Sequence, residues 1–281
     1  MTLGGPRQEV NDGSVALQAG RDLTINNHGL RIEDVRDLVD AFVRHQLPAM
    51  QEVAKKVAEE RALKFCEEFV RQAAASQKVL GDEFVKPDAQ ATFQVGLSGV
   101  AIKGDDADLA LVVAALVRRL EAADEPLIKQ VLESAIAAMP KLSRAQIAFL
   151  AFVQYVKGVT HNSIVDISHL EAMMSSVMPA FEAGLNLSTA NQQYLAGLGL
   201  LTINPVADAP IWFSSLRQQY PFIPPERGQL EAFGFSQLPQ MLDAYETIKV
   251  AQVFLTITGS AIGLLQLRRV LGNLDLSIWI N

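Results

Sequence analysis

Cysteine is almost missing from this chain: Cys66 is the only one among 281 residues. A lone thiol cannot close an intramolecular disulfide, and it excludes a zinc site built on several thiolates. It lies in "ALKFCEEFV", a strongly helical stretch, where a small packing residue is expected. Aromatic residues are also scarce, at 7%, while Ala and Leu are abundant, which favours helices packed closely on small side chains. Excess positive charge is lacking too. The formal net charge is −7, and no Lys or Arg occurs between Lys157 and Arg217. The chain as a whole therefore does not attract nucleic acid, and only Arg268 and Arg269 form a local cationic pair near the end. The opening "MTLGGPRQEV" lacks the basic-then-apolar layout of a signal peptide, so a cytoplasmic protein is expected.

The usual catalytic signatures are lacking as well. "GLSG" at 96–99 misses the outer spacing of a nucleophile elbow and sits in a helical pattern. "GLG" at 197–199 lacks the third glycine of a dinucleotide loop and has helix before strand. No phosphate-binding loop ending in Lys-Ser or Lys-Thr is present. The one cluster of acid–base residues is "HNSIVDISHLE", with His161, Asp166, His169 and Glu171. Helical metal motifs place ligands at i and i+4. His161 and His169 are eight apart, so a straight helix does not aim both at one ion, and a solvated helix face is the plainer expectation. No metal or cofactor is expected. A hydrolytic or metal-dependent enzyme using His161 and Glu171 remains an alternative.

What is present is a folded profile: 49% apolar and 20% charged residues, with length enough for a substantial core. Most of the chain repeats its apolar residues at three and four. Ile32, Val35, Leu38, Val39, Phe42 and Val43 predict an amphipathic helix, which Pro48 should kink or divide before the stripe continues to about Gln77. Helices follow at about 88–102, 106–122 and 125–139, the last with Asp124 as its cap and Pro126 in its first turn. Ser143 and Gln146 form a capping-box pattern for a helix to about Lys157. Further helices are expected at 164–183, 188–198 and 236–252, with a short strand in "GLGLLTIN" and another in the final "LSIWI". The predicted fold is mainly α: a helical bundle with an N-terminal β-type segment and a small mixed α/β C-terminal part. The expected divisions are a start and β-type assembly segment at 1–29, a long kinked helix at 30–80, a bundle at 81–158 and a mixed region at 159–281.

The front segment, "SVALQAGRDLTIN" at 14–26, breaks the helical pattern. Val15 and Leu17 alternate with smaller or polar neighbours, Gly20 lets the chain turn, and Leu23 and Ile25 alternate again. Two short strands alone are marginal in water, because burying four side chains does not offset the ordering of thirteen residues. The segment must dock on the helical body or stack on copies of itself. Its edges carry no Pro or Lys to block pairing. Self-assembly through Val15, Leu17, Gln18, Gly20, Leu23 and Ile25 is the preferred expectation, and a local hairpin on the body is the other. The reading leaves room for a further protein partner.

An uncharged stretch, "VAQVFLTITGSAIGLLQL" at 250–267, has the small-xxx-small pair Gly259 and Gly263 and just reaches the lower length for a membrane span. An effector inserting these residues is the alternative function. Against it, "LTITGSAIG" parses as strand end, turn and new helix, which makes Gly259 and Gly263 contacts between helices.

The "AGRDLTI" stretch resembles rungs of filamentous haemagglutinin-type β-helices and is similar to the cores of amyloid signalling motifs. Over nearly its full length, the chain also resembles a bacterial family without an established function. The matching pieces are "QAGRD" at 18–22, "GLRIEDVR" at 29–36, "PKLS" at 140–143, "LTITGSAIG" at 255–263 and "DLSIWI" at 275–280. The resemblance implies that front segment, helical body and end form one unit, while segments of the "AGRDLTI" type suggest a role in bacterial conflict or phage defence. It brings no catalytic residue.

Overall fold

A computed structural model describes residues 31–47, 50–76, 81–104, 107–162, 164–206, 212–272 and 274–280. Val15, Leu17, Gln18, Gly20, Leu23 and Ile25 lie outside the described residues.

The three-and-four spacing after Leu30 produces α1 (Ile32–Gln46), which turns Val35, Val39 and Phe42 inward. The expected long kinked helix is in fact two helices. α1 ends just before Pro48, and α2 (Glu52–Ala75) starts beyond it, burying Phe65, Cys66 and Phe69. A single turn, α3 (Gly81–Phe84), leads into α4 (Pro87–Lys103), whose first-turn proline is already shaped for a helix. Phe65, Phe69, Phe84 and Phe93 from α2, α3 and α4 meet with ring centroids 5.1–5.6 Å apart, mostly edge to face. That geometry suits aromatic quadrupoles and ties the three elements together.

α5 (Leu109–Glu121) and α6 (Pro126–Ala138) continue the bundle. Asp108 caps α5 by accepting from the Leu111 amide at 3.1 Å. The expected cap at Asp124 does not form: Glu125 takes the N-cap position, without a side-chain bond, because Pro126 fixes the helix start one residue later. α5 also carries a fully buried cation, Arg119. Its guanidinium meets Glu83 at 3.1 Å and Glu133 at 3.0 Å and also contacts Asp88, while Lys129 reaches Glu83 at 2.7 Å. A buried charge persists only when paired and hydrogen-bonded, and here three elements, α3, α4 and α6, supply the partners. Burial pushes the Glu83 carboxyl up, but hydrogen bonds from Lys129 and Lys86 outweigh it and hold it below the ordinary carboxylate range. Burial also pushes the Asp88 carboxyl up, and the Arg119 charge together with hydrogen bonds from the Ala89 amide and from Arg119 brings it below its ordinary value.

The capping box at Ser143 forms as the sequence predicts. The Ser143 amide donates to Gln146 Oε1 at 2.9 Å, and the Gln146 amide donates to Ser143 Oγ at 3.3 Å. It opens α7 (Arg144–Gly158), in which every residue from Gln146 to Tyr155 is buried. A helix apolar on all sides belongs at the centre. α8 (Ile167–Phe181) and α12 (Ile257–Leu271) cover it. α8 begins at Ile167 rather than after Ser163, because Asp166 accepts from the His169 amide at 2.8 Å and sets the first turn there.

α9 (Thr189–Gly197) runs into β1 (Leu201–Ile203), which pairs antiparallel with β2 (Val253–Leu255), Thr202 opposite Phe254. Between them lie α10 (Trp212–Gln219) and α11 (Gln237–Thr247). α11 stops five residues short of the expected 252, as Lys249 turns the backbone to a left-handed φ of 54° and a 3-10 turn follows. The final "LSIWI" is not a strand. Asp275 accepts from the Ser277 amide at 3.0 Å and closes a 3-10 turn over Leu276–Ile278, while Trp279 Nε1 donates to the Gly158 carbonyl at 3.0 Å. The described helices share one hydrophobic core reaching from Val35 to Ile280, and the fold is mainly α with a two-stranded sheet.

Candidate functional site

A recess lies where α7 ends. Tyr155 and Lys157 come from its last turns, and His161 from the segment that follows. Met173 and Met174 come from α8, Trp212 and Ser215 from α10, Tyr220 from just beyond it, and Tyr245 from α11. Together they enclose a cavity of about 460 Å³. Its walls are rings in mutual contact. Tyr155 lies 5.5 Å from Phe181 and 5.8 Å from His161, and Trp212 lies 5.9 Å from Tyr245 and 6.4 Å from Phe152. The apolar runs of α7, α8 and α11 bury these ring bases in the core, so the walls are anchored rather than loosely hung.

The polar atoms of the recess are mostly engaged. The Tyr155 hydroxyl donates to Met173 Sδ at 3.0 Å, and the Tyr220 hydroxyl donates to the His161 carbonyl at 2.9 Å. Burial raises the Tyr155 phenol well above its ordinary value and also raises those of Tyr220 and Tyr245, so no phenolate is present at neutral pH. Lys157 is pulled down by burial, and its ammonium donates to the Ala251 carbonyl at 3.2 Å and to that of Val253, with Nζ 4.2 Å from the centre of the Phe254 ring. It acts as a strut between α7 and β2. One atom is left over: His161 Nε2 is buried and has no hydrogen-bond partner. Burial lowers the pKa of this imidazole, which keeps the ring neutral at neutral pH. The lining residues include no carboxylate, and the described residues contain no group of three His, Cys, Asp or Glu that could hold a metal ion. The neutral imidazole therefore has no acid partner among the residues that line the recess.

A protein-family model with the description ":-like" matches residues 29–234. The chain belongs to that family. The match includes Arg119 and its carboxylates, and of the recess it includes Tyr155, His161, Trp212 and Tyr220 but not Tyr245. No curated protein matches the chain, and no solved structure does.

The residues singled out from the sequence go to different places. His161 lines the recess, whereas the His169 amide belongs to the first turn of α8. Glu171 does not line the recess. Its Oε1 accepts from the Ser236 amide at 2.8 Å, the Ser236 hydroxyl at 2.5 Å and the Gln237 amide at 2.8 Å, capping α11 from across the fold. Such a cap satisfies amides that a helix start leaves without partners. The uncharged stretch at 250–267 divides at Thr256, which ends β2 and caps α12 by accepting from the Gly259 amide at 3.2 Å. No helix among the described residues is long and apolar enough to cross a membrane. At Gly259 a Cβ would come 1.9 Å from the Leu200 carbonyl oxygen, and at Gly263 one would come 2.7 Å from that of Leu150. Both glycines let α12 approach protein backbone. Cys66 is buried, and burial pushes its thiol up to about 11, which leaves it unreactive.

Sequence reasoning missed Tyr155, Trp212, Tyr220 and Tyr245. With aromatics this sparse, their gathering at the end of α7 is the signal, and it exists only once four elements have folded together.

Proposed function

We propose that this chain is a non-enzymatic cytoplasmic protein that assembles with copies of itself through residues 14–26, with Val15, Leu17, Leu23 and Ile25 packing on neighbours, Gln18 in the pairing edge and Gly20 at the turn. The observation that carries the reading is the closure of the helical body. α1 directs its apolar face inward, and the core from Val35 to Ile280 is filled by the body's own side chains. The alternating apolar residues ahead of α1 then find their matching surface on other copies, where edge-to-edge backbone pairing adds to burial. The likeness of "AGRDLTI" to β-helix rungs and amyloid signalling cores supports the same reading and extends it to bacterial defence.

Light scattering over a concentration series tests this. The full chain should exceed its monomer mass of 30.6 kDa and grow with concentration. Leu17→Lys with Leu23→Lys, or deletion of residues 1–28, should return it to the monomer. A full chain that stays at monomer mass, or an assembly indifferent to these changes, rejects the proposal.

A further inference from the structure

We propose that the groove running from the end of α4 to the start of α7 is a docking surface for a short acidic peptide, one that carries several Asp or Glu side chains. The inference goes beyond self-assembly and stands independently of it. Two open recesses meet in this groove and share Arg144. One, of about 860 Å³, is walled by Lys103 at the end of α4, Lys141 in the 3-10 turn after α6, and Tyr194 on α9. The other, of about 800 Å³, adds Arg61 and Lys64 from α2. Arg61 joins the two. A Cβ on Gly104 would come 2.0 Å from its Cζ, and its Nη1 donates to the Ala101 carbonyl at 3.5 Å, so this guanidinium rests on the end of α4 beside Lys103.

Unanswered charge decides the partner. Other cations close by are neutralised by their own neighbours: Lys55 by Glu59, Arg71 by Glu68 and Arg269 by Asp108. Among the described residues no ion pair forms at Arg61, Lys64, Lys103, Lys141 or Arg144. All but the half-buried Arg61 are exposed and open to a partner. Of the carboxylates in the lining, Glu68 and Asp108 are already paired, which leaves Glu60 alone against five cations. Salt screens exposed charges beyond about 8 Å, so a ligand in the groove meets this local excess rather than the net charge of −7. Two features favour a peptide over nucleic acid. Single strands are held by stacking successive bases on aromatic faces, and Tyr194 is the only aromatic residue in the described lining. The accessible apolar floor is aliphatic instead, from Val57, Leu109, Pro179 and Ala183, and it matches small apolar side chains set between the acids of a peptide.

The test uses the full chain and three dye-labelled probes followed by fluorescence anisotropy: a peptide of repeating Glu-Glu-Ala, the same peptide with Lys for Glu, and a single-stranded oligothymidylate of equal charge to the first. The acidic peptide should bind saturably and weaken as salt is raised, with the other two at least about tenfold weaker. Lys141→Glu with Arg144→Glu reverses two exposed charges and should cost at least about tenfold in affinity. An acid in the first turn of α7 agrees with the helix dipole, so the melting temperature should hold. Glu60→Gln should tighten binding, and Arg217→Glu, an exposed cation outside the groove, should leave it unchanged. No saturable binding of the acidic peptide, equal or tighter binding of the oligothymidylate, indifference to the double charge reversal, or an equal loss in Arg217→Glu overturns the proposal.

Discussion

Arg119 and His161 are both polar side chains drawn into the fold, and the protein treats them in opposite ways. Around Arg119 every charge is answered: three carboxylates converge on one guanidinium, and Lys129 and Lys86 complete the set at Glu83. Around His161 the hydroxyls of Tyr155 and Tyr220 are taken by the Met173 sulfur and the His161 carbonyl, and the ring Nε2 is left without a partner. Buried polar groups in structural networks are satisfied because leaving one unmade is costly. His161 is not alone in this: Glu171 Oε2, on the carboxylate that caps α11, is likewise buried without a partner, so the contrast is between a fully paired network and single atoms left unpaired.

The sharpest way to break the contrast is Arg119→Met. It strands the buried Glu83 carboxylate with its lysines alone and should cost about 3–5 kcal/mol in urea unfolding. Adding Glu83→Leu should recover part of that loss, because an apolar pair of matching volume is often tolerated where a half-pair is not. A full recovery would mark the network as dispensable for stability. Next in size, Glu83→Gln keeps the shape but loses the charge, and about 1–3 kcal/mol is expected by the same measurement.

Acid should erase the difference between these proteins. Glu83 and Asp88 are held below their ordinary values when folded, so the unfolded chain takes up protons first as the pH drops below about 4.3. Their contribution is complete above that pH and is lost as the pH falls through the folded-state values. The gap between the wild type and Arg119→Met should therefore narrow in unfolding curves collected at falling pH. A constant gap would remove these carboxylates from the explanation.

His161→Phe should behave in the reverse sense. Replacing a partnerless nitrogen by carbon leaves stability unchanged or raises it by up to about 1 kcal/mol. A loss as large as that of Arg119→Met would make His161 part of the scaffold. The smallest effect concerns pH. The imidazole is depressed in the folded state, so stability should decline as the pH falls from about 6.5 through the folded value. The variant should flatten that slope.

The helices were legible where local chemistry decides. Pro126, the Ser143–Gln146 pair and the break within "LTITGSAIG" each act within a few residues of where they stand, and the structure follows them. "LSIWI" misleads because its alternation imitates a strand, whereas the turn is set by the Asp275 side chain and by Trp279 reaching back to Gly158. Arg119 was invisible for a similar reason. In "VRRLE" it has the look of a surface cation, and its burial depends on Glu83 and Asp88, which stand far back in the chain. Of the recess, only His161 drew notice, and for partners it does not use. Tyr220 and Tyr155 surround it instead, from elements that sequence spacing cannot bring together.

The packing of α12 on α7 has a consequence for how the protein is made. α7 is complete once Gly158 has been synthesised, but the helix that covers one side of it begins only at Ile257. At ribosomal speeds, the roughly hundred intervening residues take about 5–20 s. For that interval the nascent chain must shield Leu150 and its neighbours with α8, the turn that follows it and α9, or borrow a chaperone. A premature stop before Ile257 would release a polypeptide with one side of its most buried helix uncovered.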